Sequence, residues 1–121
     1  MTLSVWFVLT PNVLLLDYAG PAEALRMAAE MNGASADTIA LHSCSPVARL
    51  TTSLGIEVGR LEALPASLPP HSLVIVAGNA CEADDYARPE AHAVVAWLRR
   101  ALQSDTCVAS ICSGALLLAA A

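Results

Sequence analysis

The sequence has 121 residues, of which 56% are hydrophobic and 14% are charged, and its net charge at pH 7 is −5. The length suits one domain, and the high apolar share excludes an intrinsically disordered chain. With six arginines and no lysine, the sequence lacks the clustered positive charge that binding to nucleic-acid phosphates requires. Four cysteines are too few for a disulfide scaffold and form no Cys-x-x-Cys pair, so no metal site and no cofactor are predicted.

The apolar runs are short compared with a membrane span. The longest cover residues 5–9, 13–16 and 115–121, far below the roughly 20 residues that cross a bilayer. The amino terminus has no positively charged region of the kind that opens a signal peptide. We therefore expect a cytoplasmic protein with free thiols and no membrane partner.

The first predicted elements are a strand, a loop and a helix. Leu3–Leu9 is a nearly continuous apolar run, typical of a strand buried on both faces of a parallel sheet. Asp17–Gly20 is predicted as a loop, because Gly20-Pro21 is a common helix start with proline at the first helical position. The helix is predicted to end at Asn32-Gly33.

The remaining predicted elements alternate between strand and helix. They are a strand at 38–43, two short strands within 47–58, a strand at 72–77, a helix at 89–103, a strand at 106–111 and a helix after the Cys112 turn. This alternation predicts an α/β fold with a mainly parallel sheet. Ligands of such sheets bind at the carboxyl ends of the strands, where Asp17, Gly78-Asn79 and Cys112 all lie.

Cys112 carries the strongest chemical signal in the sequence. It stands between a strand and a helix in the run Ala109–Ala115, whose small residues suit the tight turn of a nucleophile elbow. The helix amino terminus would stabilise a thiolate, and the Ser113 N–H would point toward a developing oxyanion. The alternative reading is a buried, inert cysteine.

Asp17 and Gly78-Asn79 are the other candidate site residues. A carboxyl group near a thiolate could share its proton or act as general acid or base, whereas the simpler role for Asp17 is a helix cap. The backbone amides at Gly78-Asn79 could bind an anion, whereas the simpler interpretation is a strand-ending turn. Among weaker candidates, Cys107 is predicted in the strand core and Glu82–Asp85 as a solvated acidic loop.

Taken together, these motifs resemble the ThiJ/PfpI superfamily, which is class I glutamine amidotransferase-like. Within it, the sequence is most similar to the amino-terminal domain of AraC-type regulators of the GlxA kind. The matching segments occur in family order: Val8–Pro21, Glu23–Arg26, Ser53–Gly55, Val74–Gly78, Trp97–Arg100 and Val108–Ala115. The resemblance implies a flavodoxin-like three-layer sandwich, incomplete at its carboxyl end.

The resemblance also implies roles for individual residues. Cys112 takes the elbow position, Asp17 the acidic position that contacts the cysteine in related hydratases, and the amides of Asn79 and Ser113 face the oxyanion pocket. Two residues depart from the pattern: Asn79 stands where a second glycine is common, and Ser110 where amidotransferases have glycine. Glutamine hydrolysis is therefore not expected. The family's downstream histidine has no counterpart in this sequence.

Two functions from different classes follow from the resemblance. The first is a ligand-sensing and dimerisation domain of a transcriptional regulator, with a small-molecule ligand, a homodimer, and DNA bound only through a separate domain outside residues 1–121. The second is a stand-alone cysteine enzyme, such as an isocyanide-hydratase-like hydro-lyase or a hydrolase. We expect the sequence to be the first part of a longer domain, because the family motifs stop at the elbow helix. A third hypothesis is a shortened chain that has no activity of its own.

Overall fold

The structure is a computed structural model that describes residues 1–33, 37–80, 84–103 and 105–121. Its elements are, in chain order, β1 (Thr2–Val8), α1 (Leu15–Met31), β2 (Thr38–Cys44), β3 (Leu50–Thr51), β4 (Glu57–Val58), β5 (Ser72–Val76), α2 (Pro89–Ala101), β6 (Cys107–Ser110) and α3 (Gly114–Ala120). Among the helices described, none is both long enough and apolar enough to cross a membrane.

Four of the strands form one parallel sheet in the order β2-β1-β5-β6. Strands β3 and β4 form a separate antiparallel hairpin, in the region where two short strands were predicted. The order places the carboxyl ends of β1, β5 and β6 side by side at one edge of the sheet. The predicted α/β, flavodoxin-like arrangement with a parallel sheet is therefore confirmed.

Helices cover both faces of the sheet, and β1 contributes to the core on each side. Trp6 and Val8 belong to a buried cluster with α2 and α3, whereas Val5 and Phe7 belong to a second cluster that α1 covers. Alternate residues of a strand point to opposite faces, so the nearly continuous apolar run predicted for β1 contributes to both layers. The molecule is a three-layer sandwich.

Helix α1 begins earlier than the sequence predicted. It starts at Leu15, so Asp17 lies in its first turn and Pro21 lies inside the helix. The prediction of a loop at Asp17–Gly20 is wrong. Proline lacks the N–H that would bond to the carbonyl four residues earlier, and its ring crowds that carbonyl. Packing of Tyr18 and Ala22 on the sheet offsets both costs.

Two weaker predictions about burial are also wrong. Cys107 is exposed, because β6 is the last strand of the sheet and pairs only with β5 in the described chain. Asp85 is buried, with its carboxylate accepting hydrogen bonds from Asn12 Nδ2 at 3.2 and 3.3 Å. The first part of the predicted acidic loop, residues 82–83, lies outside the described residues.

Candidate functional site

Cys112 occupies a sharp turn between β6 and α3. Its φ of 52° lies in the left-handed region, which is rare for a residue with a side chain. The turn is closed by two backbone hydrogen bonds, from Ile111 N to the Val76 carbonyl at 2.9 Å and from Gly114 N to the Ile111 carbonyl at 3.0 Å. The Cys112 residue is exposed. The backbone is therefore strained at an exposed cysteine, and we call this turn the elbow. Its role as a nucleophile elbow remains a prediction.

Two glycines allow the elbow to approach the end of β5. A Cβ at Gly114 would collide with the carbonyl oxygen of Val76, a backbone atom that cannot move aside. A Cβ at Gly78 would lie 2.7 Å from Asp17 Oδ2 and 3.0 Å from Cys112 Cβ. Glycine at position 78 therefore lets the acid, the cysteine and the strand end pack together.

Asp17 is placed beside the elbow by the first turn of α1. The Leu14 N–H donates to the Gly78 carbonyl at 2.9 Å, which fixes the start of the helix against the end of β5. Leu14 is the N-cap and no side chain caps the helix, so the alternative that Asp17 is the cap is wrong. Asp17 Oδ2 is buried and has no hydrogen-bond partner among the described residues. A buried acceptor without a partner costs stability, which makes Asp17 a candidate for a functional role.

The Asn79 side chain is committed to structural contacts. It is 1% exposed, its Oδ1 accepts from Thr10 Oγ1 at 3.0 Å, and its Nδ2 donates to the Pro11 carbonyl at 2.6 Å. These bonds tie the end of β5 to the end of β1. The Asn79 side chain thus supports the structure next to the site, and both of its polar atoms are already bonded.

The Asn79 backbone is bonded to Ser113. The Asn79 N–H donates to Ser113 Oγ at 3.0 Å, and that hydroxyl is within 3.2 Å of the Asn79 carbonyl as a donor. The oxyanion role predicted for the Asn79 amide remains a prediction, and it requires the Ser113 hydroxyl to rotate away. The Ser113 N–H makes no hydrogen bond to any described residue and is free for such a role.

The sequence analysis therefore predicted which segments meet at this edge of the sheet, but it missed part of the hydrogen bonding between them. Cys112, Asp17 and Gly78 meet at the carboxyl edge of the sheet, as expected for residues that follow neighbouring strands. The Ser113 hydroxyl and Thr10 were not predicted. A serine directly after the candidate nucleophile was a signal of a local backbone bond, since serine hydroxyls commonly make them.

A second cysteine is far less accessible than Cys112. Cys44, at the end of β2, is fully buried, and its thiol donates to the Phe7 carbonyl at 3.5 Å. Burial, with a smaller contribution from the Glu62 carboxylate, raises the pKa of the Cys44 thiol to about 12. The two thiols are therefore distinct in their chemistry, and only Cys112 lies at the elbow.

The comparisons with known proteins agree on the fold. No protein-family model and no curated protein matches the chain. The chain is similar to solved structures of a putative transcriptional regulator from Vibrio parahaemolyticus (20% identity, TM-score 0.69), of Drosophila melanogaster DJ-1beta (15%, 0.66), and of an AraC family transcriptional regulator from Pseudomonas putida (16%, 0.64). These similarities confirm the α/β fold with a parallel sheet that the resemblance implied.

The chain matches only part of each of these structures. The matches cover 97%, 99% and 96% of this chain but 60%, 60% and 59% of the respective structures. The chain thus spans about three fifths of the length of its structural neighbours.

Proposed function

We propose that this chain is a ligand-sensing and dimerisation domain of an AraC-type transcriptional regulator, with its ligand site at the elbow around Cys112 and Asp17. The observation that carries the proposal is the left-handed Cys112 packed beside Gly78 and the unpartnered Asp17 Oδ2. Strained backbone and an unsatisfied buried acceptor both cost stability, and they are typical of a site that binds something.

Two observations support the hypothesis of a regulator: the names of the similar structures and the net charge of the chain. Two of the similar structures are described as transcriptional regulators. The chain's net charge of −5 is unfavourable for contact with DNA phosphates. We therefore assign DNA binding to a separate domain outside residues 1–121, and sensing to this one.

The proposed partner of this domain is a second copy of the chain. Met27 and Met31 are 54% and 87% exposed on α1, four residues apart and therefore on one side of the helix. Burial of these side chains would favour association. Sedimentation over a range of concentrations should show a dimer, and Met27→Glu should weaken it. A monomer at every concentration would contradict the dimerisation part of the proposal.

The sensing part is tested by a screen of small metabolites against the purified chain. A ligand should raise the thermal midpoint of the wild type, because binding to the folded state stabilises it. The shift should shrink for Asp17→Asn and persist for Met27→Glu, a surface variant away from the elbow. If every stabilising ligand acts equally on the Asp17→Asn variant, the site is not at the elbow.

A second candidate function is a stand-alone cysteine enzyme, of the isocyanide-hydratase or hydrolase type. The observation that favours it is that Asp17 Oδ2 and Cys112 Cβ both lie within 3.0 Å of one point, the position that a Cβ at Gly78 would occupy. Cys112 would attack the substrate, Asp17 would hold the proton, and the Ser113 N–H, joined by that of Asn79, would stabilise the developing negative charge.

Turnover separates the two candidates. An aryl isocyanide, incubated with the protein and followed by the appearance of its formamide, tests the hydratase reaction directly. Formation of the formamide that is lost in Cys112→Ala and retained in Cys107→Ala, which removes the other thiol exposed in the described part of the chain, would favour the enzyme. Ligand binding without product would favour the sensor.

A further inference from the structure

We propose that the turn at residues 84–88 fixes the separation of Asp17 and Cys112, with Asp85 and Tyr86 as positioning residues on the two sides. The proposal rests on the proposed function, because it takes the elbow around Cys112 and Asp17 as the functional site. It assigns to Asp85 and Tyr86 no contact with a ligand. Their effect reaches the site through the backbone on either side of it.

The Asp85 carboxylate joins the turn to the segment that leads into α1. The side chain is fully buried, and Asn12 Nδ2 donates to its two oxygens at 3.2 and 3.3 Å. Arg88 Nε lies 3.8 Å from Asp85 Oδ1, but the Arg88 side chain is 41% exposed, so water screens this ion pair. Taking a carboxylate out of water is costly unless hydrogen bonds compensate it. The bond to Asn12 is part of that compensation, so the positions of Asn12 and the turn are coupled.

Asn12 sets the direction in which the chain enters α1. Its φ of 69° is left-handed, a conformation that asparagine adopts as a single residue at some cost. Its N–H donates to the Thr51 carbonyl at 2.8 Å, and its carbonyl accepts from the Ala80 N–H at 3.1 Å. Asp17 follows in the first turn of the helix. A change in the conformation of Asn12 would therefore be transmitted to the Asp17 carboxylate.

The next residue of the turn contacts the elbow. Tyr86 Oη donates a long hydrogen bond to the Ser113 carbonyl at 3.5 Å, and the Tyr86 ring packs against the buried cluster that α2 and α3 cover. The turn continues directly into α2, whose inner face is buried. Two consecutive side chains therefore contact both sides of the site: the segment that carries Asp17 and the turn that carries Cys112.

The separation matters because a charge at Asp17 acts on the Cys112 thiol. Asp17 Oδ2 and Cys112 Cβ both lie within 3.0 Å of the position that a Cβ at Gly78 would occupy. An ionised carboxylate this close disfavours the thiolate, which is the form that reacts with alkylating agents. The influence of Asp17 on the alkylation rate of Cys112 is therefore the quantity that the turn should control.

The experiment follows iodoacetamide alkylation of individual cysteines in the full chain by peptide mass spectrometry. Cys112 is the reporter at the elbow. Cys107 is an exposed reference on β6, and the buried Cys44 reacts only if the chain unfolds. Constant rates at Cys107 and Cys44 therefore separate a change of positioning from a loss of structure, and no ligand is needed.

The readout is the effect of Asp17→Asn on the Cys112 rate, measured in three backgrounds. With the native turn, loss of the charge should accelerate alkylation at least about fivefold. With Asp85→Ala, the same substitution should change the rate less than about twofold, because Asp17 is already displaced. Asp84→Ala, at the exposed neighbouring position, is the matched control and should preserve the full effect.

Two milder variants keep the test decisive if Asp85→Ala does not fold. Asp85→Asn keeps an acceptor oxygen for Asn12 and should lose part of the coupling. Tyr86→Phe removes only the hydroxyl that bonds to the elbow, and it should weaken the coupling without exposing Cys44.

Three results would overturn the proposal. They are no effect of Asp17→Asn with the native turn, an undiminished effect in every folded variant of Asp85 and Tyr86, and an equal reduction by Asp84→Ala. If the metabolite screen finds no ligand while the coupling behaves as expected, the sensing function fails and the positioning role stands. If a ligand binds at the elbow while the coupling ignores the turn, the sensing function stands and the positioning role fails.

Discussion

The Ser113 hydroxyl makes two hydrogen bonds with the backbone of Asn79, across the gap between the end of β5 and the elbow. The N–H donates at 3.0 Å, and the hydroxyl donates back to the carbonyl at 3.2 Å. One small side chain therefore bonds to both the backbone N–H and the backbone carbonyl of Asn79, just beyond the end of β5. The same bond occupies the Asn79 N–H that an oxyanion would need.

Replacing Ser113 with alanine should lower the free energy of unfolding by about 1–2 kcal/mol, because two partly buried backbone groups lose their partner. Ser113→Thr keeps the hydroxyl and should lose less. Urea unfolding of the three proteins measures the difference. Equal stability of the alanine variant and the wild type would show that water replaces the hydroxyl without cost.

Replacing Gly78 with alanine should destabilise the chain by about 1–3 kcal/mol, because the new Cβ lies 2.7 Å from Asp17 Oδ2. The nearest obstacle is a side chain, so Asp17→Ala in the same chain should recover part of the loss. A double-mutant cycle measured by urea unfolding gives this coupling. Gly20→Ala is the control, since its Cβ meets only Leu16 Cδ1 at 3.8 Å inside a helix. If the effects of Gly78→Ala and Asp17→Ala on the free energy of unfolding were strictly additive, the close packing of these two residues would be contradicted.

Replacing Gly114 with alanine should cost more than replacing Gly78. Its Cβ would collide with the Val76 carbonyl oxygen, and backbone atoms on a central strand cannot turn away as a carboxylate can. We expect the free energy of unfolding to fall by more than about 3 kcal/mol, or the chain to stop folding. Thermal unfolding measures this change, and Gly20→Ala is again the control. A Gly114→Ala protein as stable as the Gly78→Ala protein would contradict this order.

The buried thiol of Cys44 predicts a loss of stability at alkaline pH. Its pKa is raised from an ordinary value near 9 to about 12 in the folded state, so the unfolded chain loses this proton first. The contribution of this thiol to the free energy of unfolding has its full value below about pH 9 and declines as the pH rises from about 9 to about 12. Unfolding free energies measured from pH 8 to 11 should fall more steeply for the wild type than for Cys44→Ala. Parallel curves would contradict the assignment.

Much of the fold follows from hydrophobic patterning. Leu3–Leu9 and Ser72–Ala77 are apolar on both faces because helices cover both, and this pattern is visible without a structure. The start of α1 was not visible, because Pro21 is the stronger local signal and only tertiary packing carries the helix across it. The burial of Asp85 was hidden for a similar reason, since its partner Asn12 lies 73 residues away.

The candidate site was predictable in position and less so in bonding. Cys112 and Asp17 follow strands that end at the same edge, so their proximity follows from topology. That the Asn79 amide is already in use depends on a rotamer of Ser113, which no pattern of residue types encodes. The state of the oxyanion donors therefore had to come from the structure.

Strand β1 is the shared wall of both cores, with Trp6 and Val8 on one side and Val5 and Phe7 on the other. If either helical layer separates from the sheet, the residues of β1 that face that layer become exposed to water. Both layers should therefore lose their protection from amide exchange together. A substitution in α2 that loosens its packing should thus be felt at the α1 face, although the two helices lie on opposite sides of the sheet. Because its alternate residues face opposite layers, this strand has no solvated face on which polar residues could be placed freely.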